Sequence, residues 1–248
     1  MFKNVFLFLL LLISGNSIGQ QKSEESMHIS RFRPGAMWFY TGLRPAKLEK
    51  VRKYDRLIFD LTYSTFTGDL KVFKNRWNSI GINTSFIREF PISSGNTIAF
   101  GTGLTHSLFR VETTGHLFAP DASNTFTTQS EILTFAPETR FLVGNSFSIP
   151  LEFRFRTKAW KHIEFHVGGK VGYQTNLFSK VIAEDKNGKY VAKDHSFADI
   201  NRWVYSAHMR LGIRNWAIYA SCNLNTLFSN RASTQLNLLQ LGISISLF

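Results

Sequence analysis

A single cysteine, Cys222, occurs in the 248 residues, so no internal disulfide framework can stabilise the chain. Beyond Gly19 no apolar run approaches the roughly 20 residues of a membrane-spanning helix, which excludes a helical span there. Acidic residues are few: 17 Asp and Glu stand against 29 Lys and Arg, for a formal net charge of +12. Nucleic acid is the usual partner of such a surplus, but an export signal points away from it. Anionic lipid or lipopolysaccharide is the expected counter-charge, with no nucleic acid partner. A mean hydropathy of −0.09 and 44% hydrophobic content have the look of a soluble protein.

What the chain does have changes that picture. Lys3 precedes the run VFLFLLLLI and then SGNSIGQ, in which Ser17 and Gly19 are small residues before a cut at Gln20. Residues 1–19 therefore read as a secretory signal peptide, too short for an anchor, and no cysteine follows the cut to make a lipoprotein. Losing Lys3 lowers the charge from +12 to +11. Aromatic residues make up 15% of the chain, including 24 phenylalanines. A transmembrane barrel hides its membrane character in this way, because each strand alternates lipid-facing and lumen-facing residues and the average hydropathy cancels.

Alternation of period two runs through most of residues 55–248. Leu57, Phe59, Leu61 and Tyr63 alternate with Ile58, Asp60, Thr62 and Ser64, and Ile80, Ile82, Thr84 and Phe86 oppose Ser79, Asn83 and Ser85. Phe147 to Phe155 sets five apolar residues against Glu152 and Arg154, with Arg156 next. Ile163, Phe165, Val167, Val171 and Tyr173 oppose Glu164, His166, Lys170, Gln174 and Asn176. Trp203 to Ile213 opposes Arg202, Ser206, His208 and Arg210, and two further such stretches follow. The fold expected is all-β: a closed antiparallel up-and-down transmembrane barrel of about eight strands over residues 55–248, preceded by a basic, aromatic periplasmic arm at 20–54. A soluble periplasmic β-sandwich explains alternation equally well. The barrel is favoured by the signal peptide, the aromatic apolar faces and the final strand ending in phenylalanine.

Link lengths favour it too. Short links at PISSGN, TKAWK and Arg214–Asn215 alternate with longer polar ones near residues 67–76, 112–145, 179–200 and 229–234, the asymmetry of periplasmic turns and external loops. Trp160 and Trp216 then fall at the periplasmic end, Trp77 and Trp203 at the external end, as aromatic girdles require, with Trp38 on the arm as a further interface anchor.

YDRLIFDLTYSTF, IPLEFRFRT, VGGKVGYQTN, NWAIYASCNLNTLF and QLGISISLF resemble the PorT-like family of small outer-membrane β-barrels, over residues 54–248. The resemblance implies an integral outer-membrane protein inserted by the barrel-assembly machinery, with Phe248 as the terminal aromatic of the insertion signal. It also implies a secretion-system or envelope accessory role.

An eight-stranded barrel is filled by side chains. Asp60, Glu152 and Glu164 are therefore expected to pair in the lumen with Arg154, Arg156, Lys170, Arg202 and Arg210, beside His166 and His208 as titratable members of the network. A wide pore is not expected. The two histidines share a parity and could share a metal, but no third ligand accompanies them; no metal and no cofactor are expected. DKNG at residues 185–188 lacks the glycine spacing of a calcium loop and reads as a hairpin turn. GGKVG has no P-loop spacing.

An outer-leaflet lipid A hydrolase is the enzymatic alternative, with His106 and Ser107 in GLTHSLF and Glu131 or Glu138 approaching from the next loop. Adjacent strand residues point to opposite faces, however, so His106 is poorly placed to activate Ser107. The expectation is a non-enzymatic barrel that acts by binding, through external loops or through the tract between Phe32 and Arg56. That tract carries Trp38, Phe39 and Tyr40 followed by dense Lys and Arg. It either meets anionic headgroups or docks a periplasmic or secretion-system protein.

Overall fold

The computed structural model describes residues 55–71, 74–93, 97–118, 125–130, 139–157, 163–185, 188–213 and 215–247. The expected signal peptide at residues 1–19, the expected arm with Trp38, and Trp160, Phe248, Glu131 and Glu138 lie outside these residues.

All regular structure is β: β1 (Asp55–Gly68), β2 (Ile80–Pro91), β3 (Ile98–Thr113), β4 (His116–Phe118), β5 (Thr128–Ser130), β6 (Thr139–Arg156), β7 (Ile163–Asp185), β8 (Gly188–Asp194), β9 (Trp203–Ile213), β10 (Trp216–Asn223) and β11 (Leu236–Ser246). Each neighbouring pair in the main sheet is antiparallel, in the order β6-β3-β2-β1-β11-β10-β9-β7-β8, and β6 also pairs with β7 along nearly its full length. That last pairing closes an eight-stranded barrel, from which β8 projects as the return strand of a hairpin with β7. Closure into one sheet excludes the two-sheet sandwich.

The period-two pattern dictates which side faces in. On β1, Ile58, Asp60, Thr62, Ser64 and Phe66 are buried, whereas Phe59, Leu61 and Tyr63 are exposed. The same division holds on β2, β6, β9 and the lower part of β7. Among the described residues, 33 large apolar side chains are exposed and 16 apolar residues are buried, so the apolar faces of this protein stand mostly outside.

Three features depart from the sequence reading. Residues 112–145 and 179–200 were expected as loops, yet β3 runs to Thr113, β6 begins at Thr139, and β7 with β8 continues the sheet to Asp194. Gly188 turns the β7–β8 hairpin at φ 125, a conformation that favours glycine. On β7 the register slips between Asn145 and Ser146 of β6: Asn145 faces Asn176, Ser146 faces Gln174, and Thr175 is left as a bulge. The bulge reverses the parity beyond it, so Asn176 is exposed and not on the inner face with Gln174, while Leu177 and Ser179 turn inward. Last, the sequence pattern points to a network of paired charges as the filling of the lumen. At the long-link end the filling is an apolar cluster of Phe66, Phe109, Val111, Leu142, Leu177 and Leu238, continued by Leu117, Phe197, Leu227, Phe228 and Leu236.

Candidate functional site

Inward positions of all eight barrel strands meet in the lumen, and they form tiers along the barrel axis. At the short-link end, Arg56 donates through Nη1 to Glu164 Oε2 (2.9 Å) and through Nη2 to Glu164 Oε1 (3.2 Å). Arg156 reaches the same carboxylate at 3.4 Å and donates to Glu89. Arg154 also donates to Glu89, joining this tier to the next.

Glu152, fully buried, is the centre of the middle tier. Its Oε2 accepts from Arg154 Nε (3.0 Å) and Nη2 (2.9 Å); its Oε1 accepts from Arg210 Nη1 (2.7 Å) and lies 2.9 Å from His208 Nε2. Arg210 then forks onto Asp60 at 3.2 and 2.9 Å, a bidentate pair between residues 150 positions apart. Lys170 donates to the Tyr219 hydroxyl at 2.5 Å, and the Lys170 ammonium and Arg210 guanidinium lie 5.2 and 4.9 Å from the Tyr219 ring centroid. Next come neutral polar groups: Asn83 donates to Gln240 (3.4 Å), Gln240 to Ser64 (3.2 Å), and Thr105 to Ser85 (2.9 Å). The apolar cluster begins directly beyond.

Of the ten expected network residues, nine are gathered in this lumen: Asp60, Glu152, Arg154, Arg156, Glu164, His166, Lys170, His208 and Arg210. Arg202 is not. It precedes β9 at the long-link end, is exposed, and donates to the Gln174 and Thr175 carbonyls at 3.4 Å each. The slip there follows from the end of the strand: outside the ladder, parity no longer fixes direction. Arg56, Glu89 and the partner role of Tyr219 are additions. Parity could have found the first two, since Arg56 continues Ile58 and Asp60, and Glu89 continues Ser85 and Ile87. Arg56 is thus part of the barrel interior and not of the basic arm.

The five cations Arg56, Arg154, Arg156, Lys170 and Arg210 exceed the four carboxylates Asp60, Glu89, Glu152 and Glu164 by one (5 − 4 = 1). His166 and His208 pair with different glutamates, Glu164 and Glu152, so they do not share a site. Among the described residues no group of three or more His, Cys, Asp or Glu is placed to hold a metal.

The long-link end is tied shut. Asp199 accepts from Thr127 Oγ1 (2.7 Å) and from Ser233 Oγ, and Asn230 Nδ2 donates to the Thr125 carbonyl (3.0 Å). These bonds join three separate links above the apolar cluster. His106 stands on the outer face of β3, its ring 4.9 Å from Phe147 and its Nε2 2.6 Å from Asn145 Oδ1. Ser107, one residue on, takes the opposite parity beside Ser146. Trp77 and Trp203 are exposed at the long-link end and Trp216 at the short-link end; Trp203 packs edge-on against Tyr173 at 5.9 Å.

No family model matches the chain, and no curated protein matches it. Among solved structures, it is similar to Ail, the attachment invasion locus protein of Yersinia pestis, at 12% identity and a TM-score of 0.35, over 77% of this chain and 97% of that one. The barrel assignment rests on the closed strand register itself.

Proposed function

We propose that this protein is an integral outer-membrane β-barrel without a channel, which acts by binding and not by catalysis. The observation that supports it is the inverted side-chain distribution. Soluble monomers rarely expose apolar patches beyond a few hundred Å², yet here the outer positions of strand after strand are Phe, Leu, Ile, Val and Tyr. The 11 residues of β9 match the roughly 9–11 residues with which a tilted strand crosses a hydrocarbon core. Aromatic residues at both ends of the belt fit the two interfaces, with short links toward the periplasm. The lumen, filled by paired charges below and an apolar cluster above, argues against a diffusion pore.

Binding is then left to the external end and to the arm. For an accessory role in secretion or the envelope, as the PorT-like resemblance implies, the docking segment we propose is the stretch before Arg56, since Arg56 itself is engaged with Glu164 inside the barrel. Gel mobility with and without boiling, together with membrane fractionation, tests the reading. A heat-dependent shift in the outer-membrane fraction, with no steady conductance in planar bilayers, is the expected result. Native protein in the soluble periplasm overturns the membrane reading, and open-channel currents overturn the sealed lumen. Deleting residues 32–53 behind the signal peptide is expected to leave the heat shift intact while abolishing partner recovery.

A further inference from the structure

Among strand residues near the outer rim, basic side chains stand on the outer faces of β3, β7 and β8, while Arg202, in the link before β9, is a further cation at this end that donates to backbone carbonyls. Above Leu108 on β3, two cross-strand rows carry the strand cations: Arg110, Val143 and Phe178, with His195 stacked on Phe178, and then Glu112, Phe141, Lys180 and Lys193. All but His195, which follows β8, lie on the outer faces of β3, β6, β7 and β8. At the same end, the outward strand positions of β1, β9 and β11 are Thr65, Thr67, Trp203, Tyr205, Asn237 and Leu239, none of them charged.

Two of the cations lie over aromatic rings and not against acids. The Arg110 guanidinium lies 4.6 Å from the Phe141 ring centroid, and the Lys193 ammonium 5.7 Å from that of Phe178, whose ring also stacks on His195 at 5.0 Å. Phe141 is buried although it stands apart from the inner apolar cluster, so it is covered from outside. Among the described residues Arg110, Lys180 and Lys193 have no carboxylate partner, and Arg110 Nε is buried without an acceptor. The nearby acid, Glu112, already pairs with Arg76 at 3.3 Å. Positioned donors without an acceptor, directly above an apolar surface of Leu104, Leu108, Phe147 and Ile149, match an amphiphile with phosphate at its head and acyl chains below.

From this juxtaposition we infer that Arg110, Lys180 and Lys193 form a site for the phosphorylated headgroup of an outer-leaflet glycolipid of the lipid A type, its acyl chains lying along β3 and β6. The inference rests on the membrane reading above and gives the counter-charge a place. Phe141 holds Arg110 and Phe178 holds Lys193, Lys180 stands between them in register, and His195 borders the site.

The test uses the full chain, folded in detergent micelles, with diphosphorylated lipid A as the probe and phosphatidylglycerol as the comparison, bound lipid being counted by native mass spectrometry. The Arg110→Gln/Lys180→Gln/Lys193→Gln variant is expected to bind lipid A about a hundredfold more weakly than wild type, and each single variant several-fold more weakly. Wild type is expected to prefer lipid A over phosphatidylglycerol. Unchanged lipid A binding by the heat-modifiable triple variant, or equal affinity of wild type for the two lipids, overturns the site and leaves the barrel reading standing. A wild-type protein that never shows the heat shift or enters the outer membrane overturns both.

Discussion

Glu152 is the residue on which the lumen most depends. It has no solvent exposure, and it accepts from Arg154, Arg210 and His208 together. Replacing it with Gln keeps the shape and removes the charge, raising the cation surplus of the network from one to two. Removing one partner of a buried ion pair costs about 3–5 kcal/mol, because the remaining charge is left buried and uncompensated. Here each arginine keeps a second acid, Arg154 its contact with Glu89 and Arg210 its fork onto Asp60, so the loss belongs at the lower end, about 3 kcal/mol. Glu164→Gln, at the partly solvated short-link end, is expected to cost less than half as much. Equilibrium unfolding in urea, followed by the heat-modifiable band in lipid vesicles, measures both. A Glu152→Gln penalty below about 1 kcal/mol, or one equal to that of Glu164→Gln, refutes the claim that the middle tier is the dry centre of the network.

Leu61 sits at mid-belt, 60% exposed, where a soluble protein tolerates a polar residue; Leu61→Arg is expected to destabilise the vesicle-inserted barrel by about 2–4 kcal/mol, measured in the same assay, and a neutral result contradicts lipid contact. Cys222 is exposed on the outer face of β10, so in vesicles it is expected to react with a lipid-soluble maleimide and to resist a membrane-impermeant one; rapid labelling by the latter places the face in water. Gly144 leaves room for Phe109, whose ring would lie 2.2 Å from an added Cβ. Gly144→Ala is therefore expected to lose about 1–3 kcal/mol in urea unfolding, with much of it restored by Phe109→Leu, and a simple sum of the two effects argues against that contact.

Much of the barrel was legible because lipid and lumen impose opposite polarity on alternate residues, as in Leu57 to Ser64 and Phe147 to Arg154. Legibility failed where that contrast disappears. Near the long-link end the inner face is itself apolar, so Phe141 facing out and Leu142 facing in carry no contrast, and strand reads as loop. The bulge at Thr175 has no composition signature, and a single inserted residue moved Asn176 from the inner to the outer parity. Arg56 was legible as a charge but not as a luminal one, because it continues a run of basic residues whose other members precede the sheet. Extending the parity of Ile58 and Asp60 by one step would have turned it inward, as the ladder of β1 with β2 does. The basic rim was hidden for a related reason: Arg110, Lys180 and Lys193 come together only when β3, β6, β7 and β8 are in register.

The pairing of β1 with β11, from Ile58 opposite Ser246 to Gly68 opposite Leu236, has a consequence for assembly. Asp60 meets Arg210 across the closed ring, and Arg56 meets Glu164, 150 and 108 positions away along the chain. No hairpin contains both members of either pair. An intermediate with its seam open must therefore hold these charges in water or against an accessory surface, and bilayer burial of the lumen and ring closure become a single all-or-none event.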